Sequence, residues 1–170
     1  YNDPENGYLT HFGNSFPWMF WAGGAGWNLR PLYEHAMLTG DDKFLREHVL
    51  PHYRETAAFY EDFLVMGDDG LYHIYPSISP ENAPPGTNTW LSKYATMDVA
   101  SAREVFSLLV QMGEQLNLDE EEINKWESYL NYLPSYRINE DGALAEWVDE
   151  NYPDVYQHRH NSHLYPVFPG

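Results

Sequence analysis

The chain has 170 residues, with 9 basic against 26 acidic residues for a formal net charge of -17, and is 43% hydrophobic and 16% aromatic. That apolar content excludes a disordered polymer and supports one domain with its own core. The charge argues against nucleic acid and anionic membrane surfaces as partners but is compatible with a neutral ligand such as a sugar. Cysteine is absent, which removes disulfide and thiolate chemistry, and no apolar run approaches the length of a membrane span.

The first 22 residues show no period. Tyr1-Asn-Asp-Pro-Glu-Asn-Gly7 is turn chemistry, and Phe16-Pro-Trp-Met-Phe-Trp21 is an aromatic knot that reads either as core or as a platform for a sugar face. From Ala25 to Leu38 the positions Trp27, Leu29, Leu32, Tyr33, Ala36 and Met37 recur at helical spacing, and Thr39-Gly40-Asp41 ends this helix and caps another. The second helix is expected from about Asp42 to Val65, kinked or divided at Pro51. Gly67-Asp-Asp-Gly70 is a turn, and Leu71 to Tyr75 reads as a short strand.

A loop stiffened by Pro76, Pro80, Pro84 and Pro85 follows, carrying Ser79-Pro-Glu-Asn82. Thr96 to Leu116 is the next helix, with Thr96 or Asp98 as its cap, and Asp119-Glu-Glu-Glu122 opens another, where acids favour the positive end of the helix dipole. Leu133-Pro134 stops that helix, Asn139-Glu-Asp-Gly142 is a turn, and Leu144 to Val148 reads as a short strand. Residues 149–170 read as loop. Paired helices with polar residues gathered between them point to an all-α solenoid or toroid with one functional face.

Three clusters carry candidate chemistry. Glu81 is a single carboxylate in a rigid loop, which suits acid or base work, and the plain alternative is a surface loop whose prolines only restrict the unfolded chain. His158-Arg159-His160 with His163 supplies several donors and one fixed charge, fit to read hydroxyls. The same cluster also reads as structural, with Arg159 paired to an acid. A third reading is a His-x-His-x-x-His metal site, which Arg159 disfavours by repelling a cation. Glu146-Trp147 fits sugar recognition, the carboxylate holding hydroxyls and the indole covering an apolar face, or else a strand with Trp147 inside and Glu146 outside. Asp98 reads as a helix-start acid, and Glu34-His35 as an ordinary helix end.

The series Trp27, Tyr33-Glu-His35, Thr39-Gly-Asp41, Phe44-Leu45, Pro51, Ser79-Pro-Glu-Asn82, Met97-Asp98, Gly142-Ala-Leu-Ala-Glu-Trp147, His158-Arg-His-Asn-Ser-His-Leu-Tyr165 and Pro169-Gly170 resembles the middle of glycoside hydrolase family ninety-five, which includes α-L-fucosidases and α-L-galactosidases. The resemblance implies part of an (α/α)6 barrel, or toroid, with short strands and long functional loops, and an exo-acting enzyme that hydrolyses glycosides with inversion. It makes Glu81 the general acid and puts His158, Arg159 and His160 at the sugar site, beside which Asn82, Glu146, Trp147 and His163 are expected to bind substrate. It implies no cofactor and no metal, an oligosaccharide or glycoconjugate substrate, and an extracellular or periplasmic location. The family's water-activating Asn-x-Asn motif and its assisting aspartate have no match in residues 1 to 170, so these residues are expected to form one partial catalytic domain, with the base half elsewhere. Chain ends at Tyr1 and Pro169-Gly170 fit a portion of a longer protein. Without turnover the same scaffold would be a carbohydrate-binding or structural domain.

Two expectations are sharp enough to test by geometry. Glu81 needs an apolar or acidic setting to hold a proton near neutral pH, for which Trp90 and Tyr75 are candidates. Arg159 should point at substrate hydroxyls, and a direct Glu81–Arg159 ion pair would weigh heavily against the acid role.

Overall fold

One apolar stripe organises the fold: Val99, Ala102, Val105, Phe106, Leu109 and Met112 recur at helical spacing, and all are buried. They lie on α4 (Thr96–Leu116). In this computed structural model, which describes residues 21–170, α4 packs against α1 (Gly24–Thr39), α3 (Leu50–Phe63) and α5 (Glu120–Tyr132). The described residues are of the all-α class. Tyr1 to Gly7 and most of the aromatic knot lie outside them.

Helix boundaries follow local chemistry. Gly40 closes α1 in the left-handed conformation, φ 66°, its N–H donating to the Ala36 carbonyl, and the Asp41 carboxylate accepts from Phe44 N at the start of α2 (Asp42–Phe44). Pro51 divides the expected second helix, but upstream of itself: a wider π-type turn over Leu45–Val49 joins α2 to α3, and Pro51 sits in the first turn of α3. There its missing N–H costs least. The helix stops at Phe63, and Val65–Met66 (β1) pairs antiparallel with Tyr72–His73 (β2), so the expected strand is shorter than read and is one arm of a hairpin.

Ala95, not Thr96 or Asp98, is the N-cap of α4, with no side-chain cap. Asp119 caps α5 by accepting from Glu121 N. A methyl on Gly113 would stand 2.7 Å from Ile123 Cγ1, which is how closely α5 approaches α4. Phe106 stacks on Tyr129, with ring centroids 4.7 Å apart, and Tyr129 stacks on Tyr72 at 5.0 Å, tying α4, α5 and the hairpin together. Arg103 of α4 donates to the Leu133 and Pro134 carbonyls at the end of α5.

The expected strand over 144–148 forms only isolated bridges, Ala95 to Trp147 and Ile138 to Leu144. Three irregular segments are knitted together at the start of α4: Ser77 bonds Ser92 in both directions, Tyr94 N donates to the Ile74 carbonyl, and Thr96 N donates to the Glu146 carbonyl. On this platform sits the loop that carries Glu81.

Candidate active site

Ser77, Ile78 and Ser79 form a buried stretch, with single-residue bridges from Ser77 to Ser92 and from Ser79 to Asn82. The Ser77 hydroxyl donates to Asp98 Oδ2 at 2.7 Å and accepts from Ala95 N at 2.9 Å, while Ile78 N donates to the same carboxylate oxygen at 3.1 Å. Ser79 donates to Glu146 Oε1 at 2.6 Å. Its one proton is thereby used, so the Ser162 hydroxyl, 2.9 Å away, donates to it. The chain then turns through Pro80 and Glu81, with Asn82 N returning to the Ser79 carbonyl.

Glu81 is half-exposed at the end of this turn. Arg159 Nη2 donates to its Oε2 at 2.6 Å, and His160 Nε2 lies 3.2 Å from the same oxygen. Glu81, Pro80, His160, Asn161, Ser162, Trp21, Trp27 and Met97 line an open groove. Trp21 and Trp27 form a tilted pair 5.7 Å apart, and Trp27 is 47% exposed. On the other side of His160 is a cavity of about 150 Å³ lined by Glu146, Asp154, His158 and His163, among others. His163 Nδ1 stands 3.6 Å from Glu146 Oε2.

The expected site is therefore brought together, but in two compartments. Glu81 and His160 line the open groove, which Arg159 meets through its bond to Glu81, whereas Glu146, His158 and His163 line the inner cavity, of which His160 is also a wall. Asn82 is buried between, its amide nitrogen without a hydrogen-bond partner among the described residues.

Several expectations need correction. Arg159 does not point away from Glu81: the two form a direct ion pair, with the Glu81 side chain 46% and the Arg159 side chain 66% exposed. Nor does an apolar enclosure form around Glu81 among the described residues, and Tyr75 is largely exposed. Trp147 is fully buried, its Nε1 donating to Ser92 Oγ at 3.1 Å, so its indole presents no face to a sugar. Glu146 is buried rather than outside, so neither reading of the pair holds as drawn. His158, His160 and His163 line one cavity, but among the described residues no group of His, Asp or Glu is placed to hold a metal ion.

Asp98 is a helix-start acid, in the first turn of α4, and it is fully buried. Burial is the main cause that pushes its carboxyl up to about 6, opposed by the bonds from Ser77 and Ile78. The Trp21 indole and the Gly23 amide also favour its charge, but Oδ1 is left without a completed hydrogen bond. A signal for this burial is present in the sequence: Asp98 precedes Ala102, Val105 and Leu109 by 4, 7 and 11 positions, which places it on the buried stripe. Farther along α4, Glu104 binds both Arg30 of α1 and the Tyr165 hydroxyl, fastening the end of the histidine loop to two helices.

Comparison with known proteins matches residues 6–170 to the glycosyl hydrolase family 95 catalytic domain. Alpha-L-fucosidase 2 of Arabidopsis thaliana is 35% identical over 157 residues, which is 90% of this chain and 19% of that protein. The chain thus spans about a fifth of the length of this curated relative, and it belongs to glycosyl hydrolase family 95.

Proposed function

We propose, from this membership, that residues 1–170 form part of an (α/α)6 barrel catalytic domain of an inverting, exo-acting glycosidase for an α-L-fucoside or a related sugar. The observation that carries the reading is the placement of Glu81: a lone carboxylate on a loop fixed from behind, opening into a groove with two indoles on its wall and an arginine and a histidine at its edge. Indoles cover the apolar faces of sugar rings, and donors at the rim read hydroxyls.

In this reading Glu81 protonates the leaving oxygen while water attacks the opposite face of the sugar. The base comes from sequence outside this chain and stands roughly 6.5–9.5 Å from the acid. Arg159 swings from Glu81 to the sugar hydroxyls when substrate binds. Both partners are well exposed, and exposed pairs contribute only about 0–1 kcal/mol, so the exchange costs little. His160 supplies a further donor at the groove, and His158 and His163 shape the cavity behind it. The substrate is an oligosaccharide or glycoconjugate, in an extracellular or periplasmic setting.

The ion pair favours a second reading: a carbohydrate-binding domain in which ionised Glu81 and Arg159 hold hydroxyls without turnover. Incubating the intact protein with an α-L-fucoside and following the anomeric protons by NMR separates the two. First appearance of β-L-fucose supports the inverting hydrolase. Saturable binding with no released sugar supports the binding domain.

A further inference from the structure

Two buried carboxylates, Asp98 and Glu146, have no assigned part in the proposed chemistry, and each accepts a hydrogen bond from the same short stretch of chain. Ser77 and Ser79 are two residues apart, each buried, and each donates to one of them, at 2.7 and 2.6 Å. Bonds to a charged acceptor are about twice as strong as neutral ones. No ion pair involves Asp98 among the described residues, and the nearest cation to Glu146 is the His163 imidazole at 3.6 Å, charged only when protonated. Fold stability alone does not account for such groups, because well-packed apolar side chains in their place commonly serve it as well or better. Their common product is a fixed path for residues 77–79, directly ahead of Pro80-Glu81. Through Ser79 the same device reaches Ser162, tying the Glu81 loop to the loop of Arg159 and His160.

We infer that Asp98 and Glu146 are positioning residues that hold the Glu81 loop at two successive anchor points, Ser77 and Ser79, and that neither touches substrate. The inference rests on reading Glu81 as the general acid. It replaces the expectation that Glu146 binds sugar, which its 3% exposure does not favour. Proton transfer in the transition state depends on sub-ångström placement of the acid, so loosening the loop should slow the step that needs the proton and leave ground-state binding alone.

The test uses the intact enzyme and two substrates that share the sugar: a methyl α-L-fucoside, whose leaving oxygen must be protonated, and α-L-fucosyl fluoride, whose leaving group needs far less help. Asp98→Asn and Ser79→Ala should each lower kcat roughly 10- to 100-fold on the methyl glycoside and less than about threefold on the fluoride, with KM unchanged on both. Glu81→Gln, run alongside, should show the same selectivity more strongly. Equal losses on both substrates, or losses that track the folded fraction by circular dichroism, overturn the inference while Glu81→Gln keeps its selectivity. If Glu81→Gln itself shows no selectivity, the acid reading falls and the inference with it. Should Asp98→Asn fail to fold, the Ser79→Ala result decides alone.

Discussion

Asp98 makes a quantitative prediction about stability. Its carboxyl lies near 6 in the folded protein against an ordinary value of 3.8, because burial penalises the charge more than Ser77 and Ile78 repay it. A folded-state value above the unfolded one means that the folded protein binds the extra proton, so this group's contribution is fully present below about pH 4 and is lost as pH rises through about 6. A gap of roughly two between the folded and unfolded values corresponds to about 3 kcal/mol. Asn in place of Asp leaves Ser77 and Ile78 only a neutral, weaker acceptor and cannot titrate. Its amide would meet the Trp21 and Gly23 donors, which adds a constant offset and no slope. Urea unfolding of intact wild type and Asp98→Asn, side by side from pH 4 to pH 8, should therefore show the wild type losing about 3 kcal/mol relative to the variant, mostly between pH 4 and 6. A difference that stays flat over this range would refute the claim that the buried Asp98 carboxyl titrates near 6.

Other consequences follow from the same geometry. Arg159→Met should raise KM for the glycoside by roughly tenfold or more with a smaller change in kcat, since a hydrogen bond from a charged group contributes about 1.5–3 kcal/mol; a rise in kcat would instead mean that the pair persists during turnover and opposes it. Trp147→Phe should destabilise the protein by about 1–3 kcal/mol through a lost buried bond and lost volume, with KM unaltered. A KM effect without a stability effect would return that indole to the sugar site. Gly142, at φ 78° with no atoms near its missing Cβ, should accept Ala at a cost of about 1–2 kcal/mol from backbone conformation alone, read as a lower denaturation midpoint.

The helices are legible where one mechanism dominates. The α4 stripe marks Thr96–Leu116 without error, and Gly40 and Asp119 mark a stop and a start through conformational freedom and capping. The irregular segments are less so, because their geometry comes from long-range bonds. Leu144 to Val148 has the alternation of a strand but forms only isolated bridges, to Ala95 and Ile138, and Val65 reads as the end of a helix because the hairpin partner of Val65-Met66 lies across a turn. Identifying Glu81, Arg159 and His160 as candidates needs only residue types and order. That Arg159 pairs with Glu81, that Trp147 turns inward, and that Asp98 and Glu146 anchor serines all depend on which loop lies against which, information that alternation and period do not carry.

The central claim is that Glu81 delivers the proton, and the ion pair with Arg159 is the strongest point against it. Glu81→Gln in the full-length enzyme keeps the side chain's shape and removes the proton. General acid catalysis contributes on the order of 10²–10⁴ in rate, so hydrolysis of an ordinary α-L-fucoside should fall by that much. Calorimetric binding of free L-fucose should persist within a few-fold. Turnover that stays at the wild-type rate would contradict the account.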